Sequence, residues 1–277
     1  MGTKFINKRC ALPSKDDDIQ IIIPMTGLGS RFKVQGYERL KPFIKVHNRP
    51  MIEWVVKLFP GDESKITFIC QRDHLSSLDY IKPELARIAP NARIFAIDDW
   101  KKEGPVADIL AASDVIDDNK PALISYCDFY MHWDYLAFKT QVGKRNCDGA
   151  IPCYSGFHPH LIPKNNLYAS CKVDEEENLI EIREKFSWEK DKSLAHHSPG
   201  VYYFKSGYIM KKYCQQLMEA SDSINGEYYM SLPYNYLVRD GLKVWCPVNV
   251  DRFCQWGTPR DLENHISWIN IIKSWTQ

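Results

Sequence analysis

Apolar and polar positions alternate in two rhythms along the first half of the chain: short unbroken apolar runs, and longer stretches with apolar residues three or four apart. Ile21-Ile22-Ile23-Pro24-Met25 is the first run, and its continuity predicts a parallel strand covered on both faces. Residues 65–70 (KITFIC) and 92–97 (ARIFAI) predict a second and third strand, and 122–127 (ALISYC) a fourth ending in Asp128. Residues 51–59 (MIEWVVKLF) carry apolar positions at helical spacing, and Pro60-Gly61 stops them. Residues 71–74 (QRDH) turn into a helix continued by 83–89, and 104–115 (GPVADILAASDV) form another with Pro105 in its first turn. Strands alternating with helices predict a doubly wound α/β fold on a mostly parallel, mixed sheet.

The second half is less regular. Residues 147–154 predict a strand that runs into a His- and Pro-rich loop. Residues 169–173 and 179–183 flank Asp174-Glu175-Glu176-Glu177-Asn178, the pattern of a hairpin with a solvated acidic tip. Residues 200–205 (GVYYFK) predict a strand, 206–220 a helix, 242–250 a last strand and 260–275 a closing helix. No repeat or linker interrupts the pattern. One domain over residues 19–277 is therefore expected, with a β-rich accessory region at 147–235. Polar residues 1–18 are expected to be a loose lead-in.

Composition narrows the function classes. A chain of 277 residues holds one large α/β domain or two small ones. A net charge of +1 supplies no global field for nucleic acid, so any cation cluster must be local. No apolar run nears the ~20 residues of a membrane span, and the N-terminal stretch lacks the apolar core of a secretory signal. Nine cysteines without a C-x-x-C pair read as reduced, buried side chains of a cytoplasmic protein.

The first apolar run breaks at once into Thr26-Gly27-Leu28-Gly29-Ser30-Arg31. Two glycines at that spacing let backbone N–H groups approach an anion. Arg31 adds a planar cation that can fork onto phosphate oxygens, and Lys41 adds a point charge ten residues later. The Rossmann fingerprint needs a third glycine where Phe32 stands, and a P-loop needs Gly-Lys-Ser/Thr. What remains is a strand ending in a glycine loop with two cations in reach, a candidate nucleoside triphosphate site.

The string G-L-G-S-R-F followed by K-P-F-I-K-V-x-x-R-P-M-I resembles the signature of the sugar-phosphate nucleotidyltransferases (pyrophosphorylases). Its P-M-x-G-L-G-S-R-F form is that of a subgroup from bacterial capsule and surface-polysaccharide pathways. The resemblance runs in order from Pro24 to Leu262. It implies a Rossmann-like fold of the nucleotide-diphospho-sugar transferase type and a Mg²⁺-dependent transfer that releases pyrophosphate. The partners implied are a nucleoside triphosphate, with CTP favoured, and a phosphorylated small molecule or sugar phosphate. Neither nucleic acid nor membrane is implied, and a homo-oligomer stays open.

The same resemblance distributes the roles. Met25 to Ser30 would cradle the phosphates, with Arg31 and Lys41 on the transition-state charge. Gln71 and Gly104-Pro105 would meet the nucleobase. Asp128, at the carboxyl end of a sheet strand, would hold the metal. Glu184-Lys185 matches the family's E-K-P with Phe186 in place of proline, so Lys185 would hold the incoming phosphate. Glu184, Gly200 and Glu227 would line the acceptor pocket. A second metal carboxylate belongs two residues before the glycine of D-x-G-T-P, where this chain has Gln255-Trp256-Gly257-Thr258-Pro259. Asp251, or the carbonyl of Gln255, would have to stand in.

Other classes fit less well. A glycosyltransferase wants D-x-D, and Tyr126-Cys127-Asp128 offers one acid. A non-catalytic nucleotide-binding protein is motivated by Gln255 in the carboxylate's place. His158, His160, His196 and His197 lack a zinc framework and read as loop or pocket residues. Asp128, His132 and Asp134 have no Ser or Cys elbow for a hydrolase triad.

Overall fold

The structure, a computed structural model, describes residues 18–275; the expected lead-in over residues 1–17 lies outside them. β1 (Gln20–Pro24) leads through a loop to α1 (Ser30–Val34), the small hairpin β2 (Lys45–Val46) and β3 (Arg49–Pro50), and α2 (Met51–Val56). β4 (Ile66–Gln71), α3 (Arg72–Ser77), α4 (Ile81–Ile88), β5 (Arg93–Ile97), α5 (Pro105–Ala111) and β6 (Ala122–Ser125) follow. β1 pairs in parallel with both β4 and β6, and β4 with β5. Ile21 and Ile23 point into one core and Ile22 into the other. That is why the run reads as continuously apolar: both faces of β1 are covered.

The chain continues through β7 (Phe129–Trp133), α6 (Tyr135–Arg145), β8 (Gly149–Ala150), β9 (Ser170–Val173), β10 (Leu179–Arg183), β11 (His196–His197) and β12 (Val201–Phe204). α7 (Gly207–Glu219), α8 (Pro233–Arg239), β13 (Val244–Trp245), β14 (Val250–Gln255) and α9 (Pro259–Trp275) close it. The central sheet has the order β13-β8-β12-β6-β1-β4-β5, with β12 antiparallel to its neighbours. This is the mixed, mostly parallel α/β sheet expected from the pattern. β10, β9 and β11 form a separate three-stranded sheet, whereas β8 and β12 of the expected accessory region belong to the central one.

Several boundaries differ from the pattern-based expectation. The helix expected across 71–89 is two helices, broken where Leu78 takes extended angles. The strand expected at 147–154 pairs over Gly149–Ala150 alone within the named strands. Residues 242–250 do not form one last strand. β13 ends at Trp245, and β14 begins at Val250 and pairs antiparallel with β7. α6 was not anticipated; Asp134 caps it by accepting from Ala137 N–H at 2.8 Å.

Every described cysteine is a free thiol, and burial pushes Cys70 and Cys127 up to about 12. His158 and His160 pack around the ring of Tyr154, with Phe253 stacked on it at 4.6 Å. Burial holds His160 neutral, down to about 3. None of the four histidines lines the main cavity; of the two expected alternatives, His158 and His160 take the loop one, between β8 and β9, while His196 and His197 form β11.

A third, smaller core holds the functional loop in place. Phe32 of α1, Met51 of α2, Trp256 and Leu262 bury together. Trp256, 2% exposed, stacks on Tyr130 at 6.5 Å. A buried aromatic side chain of this size contributes about 3–5 kcal/mol against truncation. It fixes the segment between β14 and α9 beside α1.

Candidate active site

β1 ends at Pro24 and hands the chain to the Met25–Arg31 loop at the carboxyl end of the sheet, where open α/β sheets place ligands. Met25 and Thr26 are buried at its root, and Gly27, Leu28 and Ser30 are exposed. The Met25 N–H is tied to Ile69 O at 2.8 Å. The N–H groups of Gly27 to Arg31 are not spent on other described residues. They border a cavity of about 740 Å³.

That cavity gathers almost the whole set of expected residues. Met25, Thr26, Gly27, Leu28, Gly29 and Ser30 line it, with Arg31, Lys41 and Asp128 beside them. Gly104, Pro105, Glu184, Lys185, Gly200 and Glu227 line it as well. Two expected residues do not. Gln71 is 7% exposed, and its Nε2 donates to Thr26 O at 2.5 Å. Its amide therefore braces the loop from behind instead of facing a base.

Asp251 is the second correction. Its side chain is 76% exposed and its carboxylate meets His132 Nδ1 at 3.1 Å. It stands on β14 four residues from Gln255, about 13 Å along an extended strand. A carboxylate that does line the cavity and feels the Asp128 charge is Asp261, which the sequence reading passed over. In sequence, Thr258-Pro259-Arg260-Asp261 is a helix-start signature, and the structure bears this out. Thr258 Oγ1 donates to Asp261 Oδ2 at 2.6 Å and accepts from the Asp261 N–H at 3.2 Å. Burial raises the Asp261 carboxyl and the Asp128 charge adds to this, against the Thr258 hydrogen bond and Arg31.

At the loop end, Lys41 Nζ donates to Asp128 Oδ2 at 2.8 Å. Burial alone would lower the Lys41 ammonium, but the adjacent Asp128 carboxylate outweighs it and holds it above its ordinary value. Arg31 is exposed, lines the cavity, and makes no hydrogen bond to another described residue. Gly257 keeps this corner open. A Cβ there would stand 2.7 Å from Gln255 Nε2 and 3.1 Å from Asp128 Oδ2. Carboxylates and a side-chain amide are hard oxygen donors of the kind a divalent cation such as Mg²⁺ takes. Asp128 and Asp261 line the cavity with such donors, and the Gln255 amide, whose Nε2 faces this corner, would add its carbonyl oxygen by turning over.

The far wall is built differently. Glu184, at the end of β10, accepts from Ser231 Oγ at 2.5 Å, and burial raises its carboxyl to about 7. Lys185 holds a left-handed backbone with φ 54°, and its Nζ lies 5.4 Å from the Tyr229 ring centroid. Glu227 accepts from Tyr229 OH at 2.8 Å. Gly200 O accepts from the Tyr126 N–H at 3.0 Å. The 103–106 segment is stitched to this wall: Tyr228 N donates to Glu103 O at 2.7 Å and Val106 N to Tyr228 O at 3.1 Å. Gly104 sits inside that stitch with φ 92°, and a Cβ there would meet Tyr228 N at 2.8 Å.

No described helix is long and apolar enough to cross a membrane. A search of curated proteins found no match. Among solved structures, a nucleoside-diphosphate-sugar pyrophosphorylase from Vibrio cholerae RC9 superposes with TM-score 0.72 at 16% identity, covering 90% of this chain and 100% of that one. A putative glucose-1-phosphate thymidylyltransferase from Bacillus anthracis gives TM-score 0.69 at 18% identity, covering 90% and 94%. A UDP-glucose pyrophosphorylase complexed with UDP-glucose gives 0.67 at 14%, covering 91% and 98%. At these identities the likeness is one of fold. Residues 21–188 match the family described as MobA-like NTP transferase domain, whose members typically use a divalent metal. That span runs from β1 through the glycine loop, Asp128 and Glu184-Lys185, so the chain belongs to the MobA-like NTP transferase domain family and is a nucleotidyltransferase.

Proposed function

We propose that the protein joins a nucleoside triphosphate, CTP foremost, to a phosphorylated small molecule or sugar phosphate in a Mg²⁺-dependent reaction that releases pyrophosphate. The observation that carries this reading is the convergence, on one cavity, of the glycine loop, Arg31 and the Lys41–Asp128 pair with the Glu184-Lys185 wall. The CTP preference and a place in capsule or surface-polysaccharide precursor synthesis rest on the P-M-x-G-L-G-S-R-F resemblance, and a cytoplasmic location rests on the reduced cysteines.

The reaction needs no protein nucleophile. The triphosphate lies over the N–H groups of Gly27 to Arg31. Arg31 forks onto phosphate oxygens and carries the charge of the departing pyrophosphate. Lys41, fixed by Asp128, adds a second cation beside it. Lys185 holds the acceptor's phosphate, whose oxygen attacks the α-phosphorus in line as the bond to pyrophosphate breaks. Glu184 and Glu227 orient acceptor hydroxyls. Mg²⁺, when bound at Asp128 with Asp261 and Gln255 beside it, neutralises phosphate charge. Orienting two substrates in this way is worth about 7–11 kcal/mol of the barrier.

The test is a thermal shift against ATP, CTP, GTP, UTP and dTTP with Mg²⁺, followed by pyrophosphate release with a panel of phosphorylated acceptors. Selective stabilisation by CTP and acceptor-dependent pyrophosphate release are expected. Absence of a shift with every triphosphate would overturn the reading.

A further inference from the structure

Behind the glycine loop lies a carboxylate that the mechanism above does not use. Asp108, on α5, is 5% exposed and lines the cavity. Its Oδ2 accepts from Thr26 Oγ1 at 2.5 Å and its Oδ1 from Trp100 Nε1 at 2.9 Å. Both donors are neutral, and no described cation is ion-paired with it. Buried carboxylates are ordinarily paired with a cation or with several donors. An ionised carboxylate has about four acceptor positions, and two of these are filled. Burial raises this carboxyl to about 6, with the Thr26 and Trp100 hydrogen bonds opposing it, so it is mostly ionised at neutral pH.

Its surroundings suit a planar ring. Thr26 opens the phosphate loop, and Met25, Trp100, Gly104 and Pro105 supply apolar lining beside it. The indole of Trp100 is held through its N–H by Asp108 itself. Flat apolar lining beside a single buried acceptor is the arrangement that reads the edge of an aromatic heterocycle.

Resting on the nucleotidyltransferase reading, we propose that Asp108 reads the nucleobase by accepting a hydrogen bond from an amino group on its edge. Cytosine, adenine and guanine each carry such an amino group. Uracil and thymine present a carbonyl oxygen where cytosine presents its amino group. Against Asp108 that carbonyl sets two acceptors face to face and leaves a buried carboxylate short of a donor. Asp108 therefore selects amino-bearing triphosphates, and Gln71, committed to Thr26 O, does not.

Equilibrium binding of CTP, ATP, GTP, UTP and dTTP with Mg²⁺ to the full chain and to Asp108→Asn tests this. The wild-type protein is expected to bind one amino-bearing triphosphate at least about 10-fold more tightly than UTP. Comparing CTP, ATP and GTP identifies which base it is. The asparagine side chain can both donate and accept, so the preference over UTP is expected to shrink at least about 5-fold in the variant. A second measurement needs no variant. The preference of the wild-type protein should fall as pH drops through about 6, as Asp108 takes up a proton. Cys127, the titratable neighbour, stays a neutral thiol there, pushed up to about 12. The titration of the triphosphate itself is common to both nucleotides and cancels in the ratio. A preference over UTP that is unchanged in both measurements, or tighter binding of UTP or dTTP, overturns the assignment while leaving the nucleotidyltransferase reading intact. If no triphosphate binds the wild-type protein, that reading falls and Asp108 falls with it.

Discussion

The two ends of the cavity solve opposite electrostatic problems. At the loop end, Arg31 is exposed and Lys41 and Asp128 neutralise each other at 2.8 Å, so full charges stay near water or near a counter-charge. At the far wall, Glu184 is enclosed beside Ser231 and its carboxyl is raised to about 7. Its nearest charged neighbour, Lys185, is held out on a left-handed turn. The loop end presents cations, whereas the far wall sets beside Lys185 a carboxyl that can meet a hydroxyl group as donor or acceptor. The difference teaches that charge is kept where a group is exposed or paired with a counter-charge, and is suppressed where a carboxyl is enclosed beside a neutral partner.

The comparison is broken most severely at the loop end. Asp128→Asn is expected to remove divalent-metal dependence together with nearly all turnover, because it removes the charged metal donor and unpairs Lys41. Pyrophosphate release titrated with Mg²⁺ checks this; an unaltered metal dependence would reject Asp128 as the ion's holder. Arg31→Ala is expected to lower kcat by about 10²–10³-fold without moving the melting temperature, since the side chain is exposed. Steady-state rates beside a melt separate the two effects.

At the far wall the expected effects are smaller and depend on pH. Glu184→Gln should raise the acceptor's KM by about 10-fold with a lesser change in kcat. A carboxyl raised in the folded state stabilises below its unfolded value, near 4.5, and loses that contribution as pH rises through about 7. The melting-temperature difference, variant minus wild type, should therefore grow from pH 5 to pH 8; a difference flat across that range would deny the raised carboxyl. The smallest effect is expected for Asp251→Asn, a rate within about twofold of wild type, because exposed side chains away from a site rarely matter. A tenfold loss there would restore Asp251 to the metal site.

How much of this was legible in the sequence depended on how local the information was. The loop end is written within Met25 to Lys41, and β1, β4 and β6 show themselves because both of their faces are buried. Asp128 is found simply by following β6 to its carboxyl end. The far wall draws Glu184, Gly200 and Glu227 from separate excursions, and only the family resemblance joined them. β14 was missed for a physical reason: a register shift between Val250 and Arg252 breaks the period-two alternation on which strands are recognised. With β14 invisible, Asp251 looked interchangeable with Gln255, and Asp261 was hidden by its place in the first turn of α9, hydrogen-bonded to the capping Thr258. Asp108 left a signal that went unused. It is an acid between the buried Val106 and Ile109, on a helix face where a charge needs a reason.

The stitch between residues 103–106 and Tyr228 means that the two ends share a wall. A ligand that draws Gly104 against itself also moves the backbone beside Glu227. Any coupling that this stitch carries between binding at the two ends is reciprocal: whatever factor a ligand at one end contributes to affinity at the other, the other returns.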